Sequence, residues 1–494
     1  MATAMPQKQR LGTGIKVVYA TGAAIDGITN SVLPTFLFFY LNAVCGLGAT
    51  LAGFAVSCSL VIDAVADPFI GSMSDNHLSR WGRRHPFMLA SALPMAITIG
   101  MLFSIPVGLS KWVLFTYVVL TLLALRIAVS AWVLPYQALG AELADDYDER
   151  STIVAYRVFF AMPGVAICLS LGFLVFLRGP NGLLNRAAYV PFGWACGFFI
   201  LLSALTATFG TRRLIGRLHQ PKMARGSISR FVREVRELLH HRSFLILSSA
   251  ATIFFIALTA STTLGLHAGK FFWKLPNSVL QAMSLSLFIA PILGILLVAA
   301  CSGRFEKRTL AVAGIGYIGA SLLVLPILKI AGVLPESGMG LYIPLIANSV
   351  LTGMFIGSST IVYQSMFVDA ADEHQVLYGA RREGLFYAGL SLAVKCGAGL
   401  GALLAGVGLD LIAFPSDIAN RNIESLVIAP KTIDALGLVY GPAPALIMML
   451  AAALLLGYRV NRAEYARIRV ELDRRAEVAA EVAAEVTRTR LSAL

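Results

Sequence analysis

The chain has 494 residues, 57% of them hydrophobic and only 14% charged, with a formal net charge of +13 and a mean hydropathy of +0.76. Ordinary soluble domains carry roughly 25% charged and 45–50% apolar residues, so this composition excludes a disordered chain, a coiled coil and a conventional soluble enzyme. The six cysteines (Cys45, Cys58, Cys168, Cys196, Cys301 and Cys396) are scattered through apolar stretches without metal spacing. They read as small core residues, not as a zinc site or a disulfide framework.

A helix needs about 20 predominantly apolar residues to cross a bilayer. Twelve such stretches run in chain order over 17–42, 50–73, 87–108, 112–138, 152–177, 188–210, 244–267, 279–302, 309–329, 342–368, 384–412 and 436–458. An outer-membrane barrel would need alternating strands of about ten residues instead. The opening MATAMPQKQR is polar and the next apolar run is too long for a signal-peptide core, so no signal peptide is expected. An even number of spans places both termini on one side. On that side lie 29 of the 40 Lys and Arg, against 8 on the other. The positive-inside rule then predicts cytoplasmic termini in a multi-pass inner (plasma) membrane protein. Because the charge is sorted by membrane side, a nucleic-acid role is disfavoured.

The longest basic stretch falls between the sixth and seventh spans. The predicted architecture is therefore an all-α integral membrane protein with twelve transmembrane helices in two six-helix bundles. The N-terminal bundle is expected over 1–210 and a cytoplasmic linker over 211–243. The C-terminal bundle is expected over 244–459 and a cytoplasmic tail over 460–494. Within the linker, Phe231, Val235, Leu238 and Leu239 share one side of a predicted surface-lying amphipathic helix. The Ala- and Val-rich tail reads as a weak, frayed helix. Pro34, Pro94, Pro106, Pro163 and Pro291 are expected to bend their spans.

Against so apolar a background, each ionisable group at membrane depth stands out, because it costs several kcal/mol unless it meets water, a partner or a ligand. Asp26 lies near the middle of the first span. Asp63 and Asp67, four apart in the second, share one helix face. Two carboxylates on one face repel unless a cation sits between them, so the pair is a candidate Na⁺ site or holds a shared proton. The alternative, that both merely bond neighbouring Arg, accounts less well for the i, i+4 spacing. Lys395, about 16 Å into the eleventh span, either bridges to an acid of the other bundle or contacts solute. Arg157 lies one and a half turns into the fifth span. Arg126 pairs with Asp26 or snorkels, and its role stays open. The seven His are spread out, and His267 reads as a structural hydrogen-bonding residue.

Three motifs carry a more specific signal. The first joins Asp63, Asp67-Pro68, Gly71, Asp75 and the Arg80/Arg83/Arg84 cluster. The second joins Pro135-Tyr136-Gln137, Glu142, Arg150 and Arg157. The third joins Asp369, Asp372, Arg381, Glu383 and Lys395. On these residues the chain resembles the major facilitator superfamily. Within it the chain is similar to the glycoside–pentoside–hexuronide:cation symporters, the melibiose permease-like family, over roughly 15–412.

The resemblance implies a cation site at Asp63 and Asp67, with a hydroxyl from Ser130. It implies solute contacts from Asp26, Gln137, Arg157 and Lys395. It also implies a cytoplasmic gate network of Asp75, Arg83, Arg84, Arg150, Asp369, Asp372, Arg381 and Glu383. Three positions depart from the family pattern. Ala66 replaces an amide ligand beside the second Asp, which tilts the coupling ion from Na⁺ toward H⁺. Val133 replaces an acid and Gln137 replaces an aromatic platform. The pocket becomes less acidic while Arg157 and Lys395 remain, a balance suited to a hexuronide or another organic anion. The expected function is cation-coupled symport of a sugar, glycoside or hexuronide-like solute by alternating access. A cation-coupled lysophospholipid carrier of the same branch is the alternative. No enzyme activity and no cofactor beyond the coupling ion are expected. The expected partners are a small-molecule solute and the lipid bilayer, with the chain a monomer.

Overall fold

The computed structural model describes residues 11–77, 79–143, 147–179, 181–217, 236–379, 382–420 and 428–492. Gate residue Arg381 and most of the predicted linker helix, including Phe231 and Val235, lie outside the described residues. Inside a bilayer every backbone N–H and C=O must be satisfied within the protein, so apolar stretches of this length fold as helices.

In chain order the helices are α1 (13–44), α2 (Ala49–Asn76), α3 (His85–Leu102), α4 (Lys111–Leu143), α5 (147–176) and α6 (Arg186–Thr211). The second half repeats the plan with α7 (Arg242–Phe272), α8 (277–301), α9 (Lys307–Ile330), α10 (Met339–Tyr378), α11 (Glu383–Leu411) and α12 (Pro430–Leu455). A tail helix, α13 (Arg462–Ser492), follows. Among the described residues ten of these are continuous and apolar enough to cross a membrane, and α8 makes eleven when its two bent pieces are joined. The first of the twelve predicted spans corresponds to α1. It is interrupted at Gly22 and widens to π-helical turns over Leu33–Leu37 and Tyr40–Val44. Pro34, which lacks an amide donor, stands in the first of these turns.

The prolines act unevenly. Pro291 marks the 42° bend of α8, and Pro106 lies beyond the end of α3. Pro94 and Pro163 sit inside unbroken helices. All six cysteines are free thiols. His241 caps α7 by accepting the Phe244 amide on Nδ1 at 3.2 Å. Burial, with the His374 ring beside it, pushes the His241 pKa down to about 4, so the cap works as a neutral ring.

The helices form two bundles. In the first, α1 packs on α5 and α6, α3 on α6, and α4 on both α2 and α3; in the second, α7 packs on α11 and α12, α9 on α12, and α10 on α8 and α9. Between bundles α2 lies against α11, and α8 against α5.

This contact concentrates at the end distal to the termini. One apolar core runs through both bundles there, joining Phe36, Phe39, Ala49 and Ala52 to Leu264, Leu266, Ala405, Leu409 and Phe414. A second core, with Phe244, Phe254, Tyr363, Phe386 and Tyr458, belongs to the C-terminal bundle alone. Glycine lets α2 and α11 approach so closely. A Cβ at Gly53 would collide with the Ala402 carbonyl, and one at Gly406 with the Ala49 carbonyl. Polar ties close the same end. His267 Nε2 meets Asn42 Oδ1 at 3.2 Å, and the Thr50 amide donates to Asp410 Oδ2 at 2.9 Å. Asn277 Nδ2 donates to the Leu177 carbonyl at 2.6 Å.

At the terminal end, several ion pairs lie within one bundle. Arg83 and Arg84 grip Glu142, and Lys16 pairs with Glu149 at 2.9 Å. Lys307 pairs with Asp369 at 2.6 Å. The tail departs from the frayed helix expected: its first turns dock on α10. There Tyr465 donates to Asp372 Oδ2 at 3.1 Å, Arg475 donates to the Val376 carbonyl at 2.9 Å, and Ile468 is buried.

Candidate functional site

Asp63 and Asp67 stand one turn apart on α2, and the helix that faces them is α11. Lys395 extends from α11 between the two carboxylates. Its Nζ lies 2.9 Å from Asp63 Oδ2 and also bonds Asp67 Oδ2. Ser130 on α4 donates to the other oxygen of Asp63 at 2.9 Å. Arg126, one turn before Ser130, is an electrostatic neighbour of both acids. Its Nε is buried without a hydrogen-bond partner. Arg126 thus attends the α2 pair and not Asp26, the partner considered from the sequence. The Asp63 side chain is 12% exposed, that of Lys395 17% and that of Asp67 28%. Two acids and two bases make this layer charge-balanced.

A second pair lies within the N-terminal bundle. Gly27 and Gly164 allow α1 and α5 to touch, since a Cβ at either would strike the carbonyl of Ala161 or Ala24. That crossing brings Arg157 into electrostatic range of Asp26. The Arg157 guanidinium lies 5.4 Å from the centre of the Tyr136 ring, a cation–π range. Tyr136 stacks on Tyr19 with centroids 4.6 Å apart, and each hydroxyl donates to the other residue's carbonyl at 3.0 Å. Gln137, next along α4, is exposed.

A cavity of about 610 Å³ lies between the bundles, one helical turn farther from the termini than these charges. Such a volume is ordinary for a small-molecule site. Asn30 lines it one turn beyond Asp26, Ser59 one turn before Asp63, and Arg126 one turn before Ser130. Val394 and Ala398 border it on either side of Lys395. Asp26, Gln137, Arg157 and Lys395 are not among its lining residues. The residues expected to touch solute thus stand outside the cavity lining, while its wall contains a cation, Arg126, whose role the sequence leaves open.

Of the expected gate residues, Asp75, Arg83, Arg84 and Asp369 meet groups of their own bundle. Asp75, whose side chain is 59% exposed, lies 3.4 Å from Arg84. Arg83 and Arg84 converge on Glu142, a residue of the second motif outside the expected network. Asp369 is held by Lys307 and Asp372 by Tyr465. Arg150 and Glu383 stand near the terminal ends of α5 and α11. Glu142 was within reach of sequence reasoning, since it stands in the second motif close to the basic flank. Lys307 offered no such signal.

Two helical bundles that enclose a charged layer and a cavity at their interface define a transporter fold of the alternating-access type. A family model described as MFS/sugar transport protein matches residues 18–462. The chain belongs to this family of multi-pass membrane proteins, within its glycoside–pentoside–hexuronide:cation symporter branch. An uncharacterised symporter of Synechocystis is 26% identical, across 94% of this chain and 98% of the relative. The glucuronide carrier protein homolog of Escherichia coli is 23% identical, across 97% and 99%. Among solved structures, an inward-facing, unoccupied bacterial homolog of the human lysosomal transporter Spinster shares the fold. Its TM-score is 0.61 at 13% identity, over 93% of this chain and 98% of the other.

Proposed function

We propose that this chain is a secondary active symporter that couples a cation to a sugar-type solute, with the Asp63/Asp67/Lys395 cluster as its coupling centre. The carrying observation is Lys395 of one bundle held between two acids of the other. Without a cation, the ammonium group neutralises the acids and ties α2 to α11. A proton on either carboxylate, or Na⁺ between them, displaces it. The freed Lys395 then needs an anionic or strongly polar partner, which solute supplies beside Asp26, Gln137 and Arg157. Cation and solute thereby raise each other's affinity by one common factor.

Ala66 leaves Na⁺ with few neutral oxygens, since Ser130 is the one hydroxyl in the set, while a carboxylate pair still takes a proton. The proposed coupling ion is therefore H⁺. The excess of Lys and Arg on the terminal side argues for cytoplasmic termini in an inner membrane. On that orientation the closed end is the outer one, and the conformation is inward-facing. Arg83, Arg84, Arg150, Asp369, Asp372, Arg381 and Glu383, with Asp75, then form the network that joins when the cytoplasmic end closes. The halves 1–210 and 244–459, linked by 211–243 and followed by the tail 460–494, act as the rocking units of a monomer.

The test is uptake into proteoliposomes under an imposed proton or Na⁺ gradient, with glucuronate, xylose and lysophospholipid as separate solutes. Accumulation of a sugar-type solute that collapses when the proton gradient is dissipated is the expected result. Accumulation of lysophospholipid alone would overturn the sugar reading.

A further inference from the structure

The inter-bundle cavity has a feature that the coupling cluster does not use. Among its described lining residues, the sole charged side chain is Arg126. The buried Nε of Arg126 lacks a hydrogen-bond partner. Across the cavity, the C-terminal bundle offers hydroxyl and amide groups, including Thr262, Ser321, Asn348 and Thr352. The Thr352 Oγ1 is likewise buried without a partner. Asn348 is fixed by accepting the Tyr317 hydroxyl at 3.0 Å. A buried guanidinium nitrogen and a buried hydroxyl left unbonded on facing walls are costly unless a ligand completes them.

We propose that Arg126 anchors an anion subsite in this cavity, one that takes the acid group of a hydroxylated carboxylate while the ligand's hydroxyls reach Thr352 and its neighbours. This rests on the symporter reading and assigns recognition of the acid group to Arg126. The guanidinium fork matches a carboxylate, which takes two parallel N–H bonds. Such a ligand spans both bundles, so its binding favours the conformations in which they meet.

Arg126 also explains why an anion and a cation would travel together. It is one of two bases that balance Asp63 and Asp67. A carboxylate on Arg126 withdraws that compensation and leaves the acids with one base, Lys395. The layer then attracts one additional positive charge. Movement of one anion with one monovalent cation carries no net charge, whereas a neutral solute would leave the cation uncompensated.

The test compares glucuronate with glucose, which share a ring and differ at the terminal carboxylate. Binding is measured by isothermal titration to the full chain in lipid nanodiscs. Wild type should bind glucuronate at least ten times more tightly than glucose. Arg126→Gln should remove that preference, a loss of roughly 10- to 100-fold for glucuronate. Arg126→Lys, which keeps the charge without the fork, should fall between them. Thr352→Val, close in shape, should weaken glucuronate several-fold and leave the preference over glucose in place, which also reports on folding. An unchanged preference in Arg126→Gln, equal binding of the two sugars by wild type, or binding of neither would overturn the subsite. Gradient-driven uptake of glucose at the glucuronate rate would remove the subsite and leave the symporter reading standing. Absence of gradient-driven uptake for every solute would remove that reading itself.

Discussion

Asp63→Asn is expected to abolish gradient-driven accumulation while solute exchange across the membrane continues within a few-fold of wild type. The substitution keeps the shape of the side chain, and its amide oxygen still accepts the Ser130 hydroxyl, which is 2.9 Å from Asp63 in the native chain. What disappears is one negative charge from a layer in which Asp63 and Asp67 balance Lys395 and Arg126. The layer becomes net positive and repels the coupling ion. A unit charge at 4 Å is worth about 4 kcal/mol at an effective dielectric of 20. That is roughly a thousand-fold in cation affinity at 1.4 kcal/mol per decade. Lys395 retains Asp67 as a partner, so the bundles stay joined and the solute pocket survives. Parallel assays in proteoliposomes, one with an imposed gradient and one of counterflow without it, separate the two activities. Full active accumulation by Asp63→Asn would remove the paired acids from the coupling role.

Gly406→Leu is expected to stop transport altogether by a different route. Gly406 faces the Ala49 carbonyl so closely that a single Cβ would collide with backbone. Backbone cannot swing aside as a flexible side chain can, so α2 and α11 must separate at the distal end. The shared core around Ala49, Ala52, Ala405 and Leu409 opens with them. The C-terminal bundle keeps its own core around Phe254, Tyr363 and Phe386, so the chain still folds. Uptake should drop at least about 50-fold, since tightly packed interfaces have few alternative arrangements. The control is Gly316→Leu on α9, where an added Cβ meets nothing within 4 Å; it should transport as wild type does. Normal uptake by Gly406→Leu would show that closure of the distal end does not depend on this crossing.

Much of this organisation is legible in the chain because a membrane simplifies the physics. Length and hydropathy fix where helices lie, and the few buried charges mark where they meet. The i, i+4 spacing of Asp63 and Asp67 shows one face, and an unmatched Lys395 in the other half is a natural partner. In the first span, apolar length does not register the close approach of Tyr136 to Gly22 or the π-helical turn that holds Pro34. The role of Arg126 was out of reach for a related reason. Which acid it serves depends on how α4 is rotated against α2, and a pattern within one helix does not report the rotation of its neighbour. Asp26 and Arg157 illustrate the same point, because they meet only where Gly27 and Gly164 let α1 and α5 touch. The motifs name the proposed gate residues, while the partners Glu142, Lys307 and Tyr465 come from packing within each half and from the docked tail.

The central claim is that one cluster, Asp63, Asp67 and Lys395, makes cation and solute binding mutually dependent. The most direct measurement is reciprocal linkage by isothermal titration in nanodiscs. Solute affinity is read at two proton concentrations, and proton uptake is read with and without solute. Solute affinity should rise as protons bind, solute should raise proton affinity by the same factor, and both effects should vanish in Asp63→Asn. Solute affinity that does not change with pH or with Na⁺ in the wild-type chain would contradict that claim.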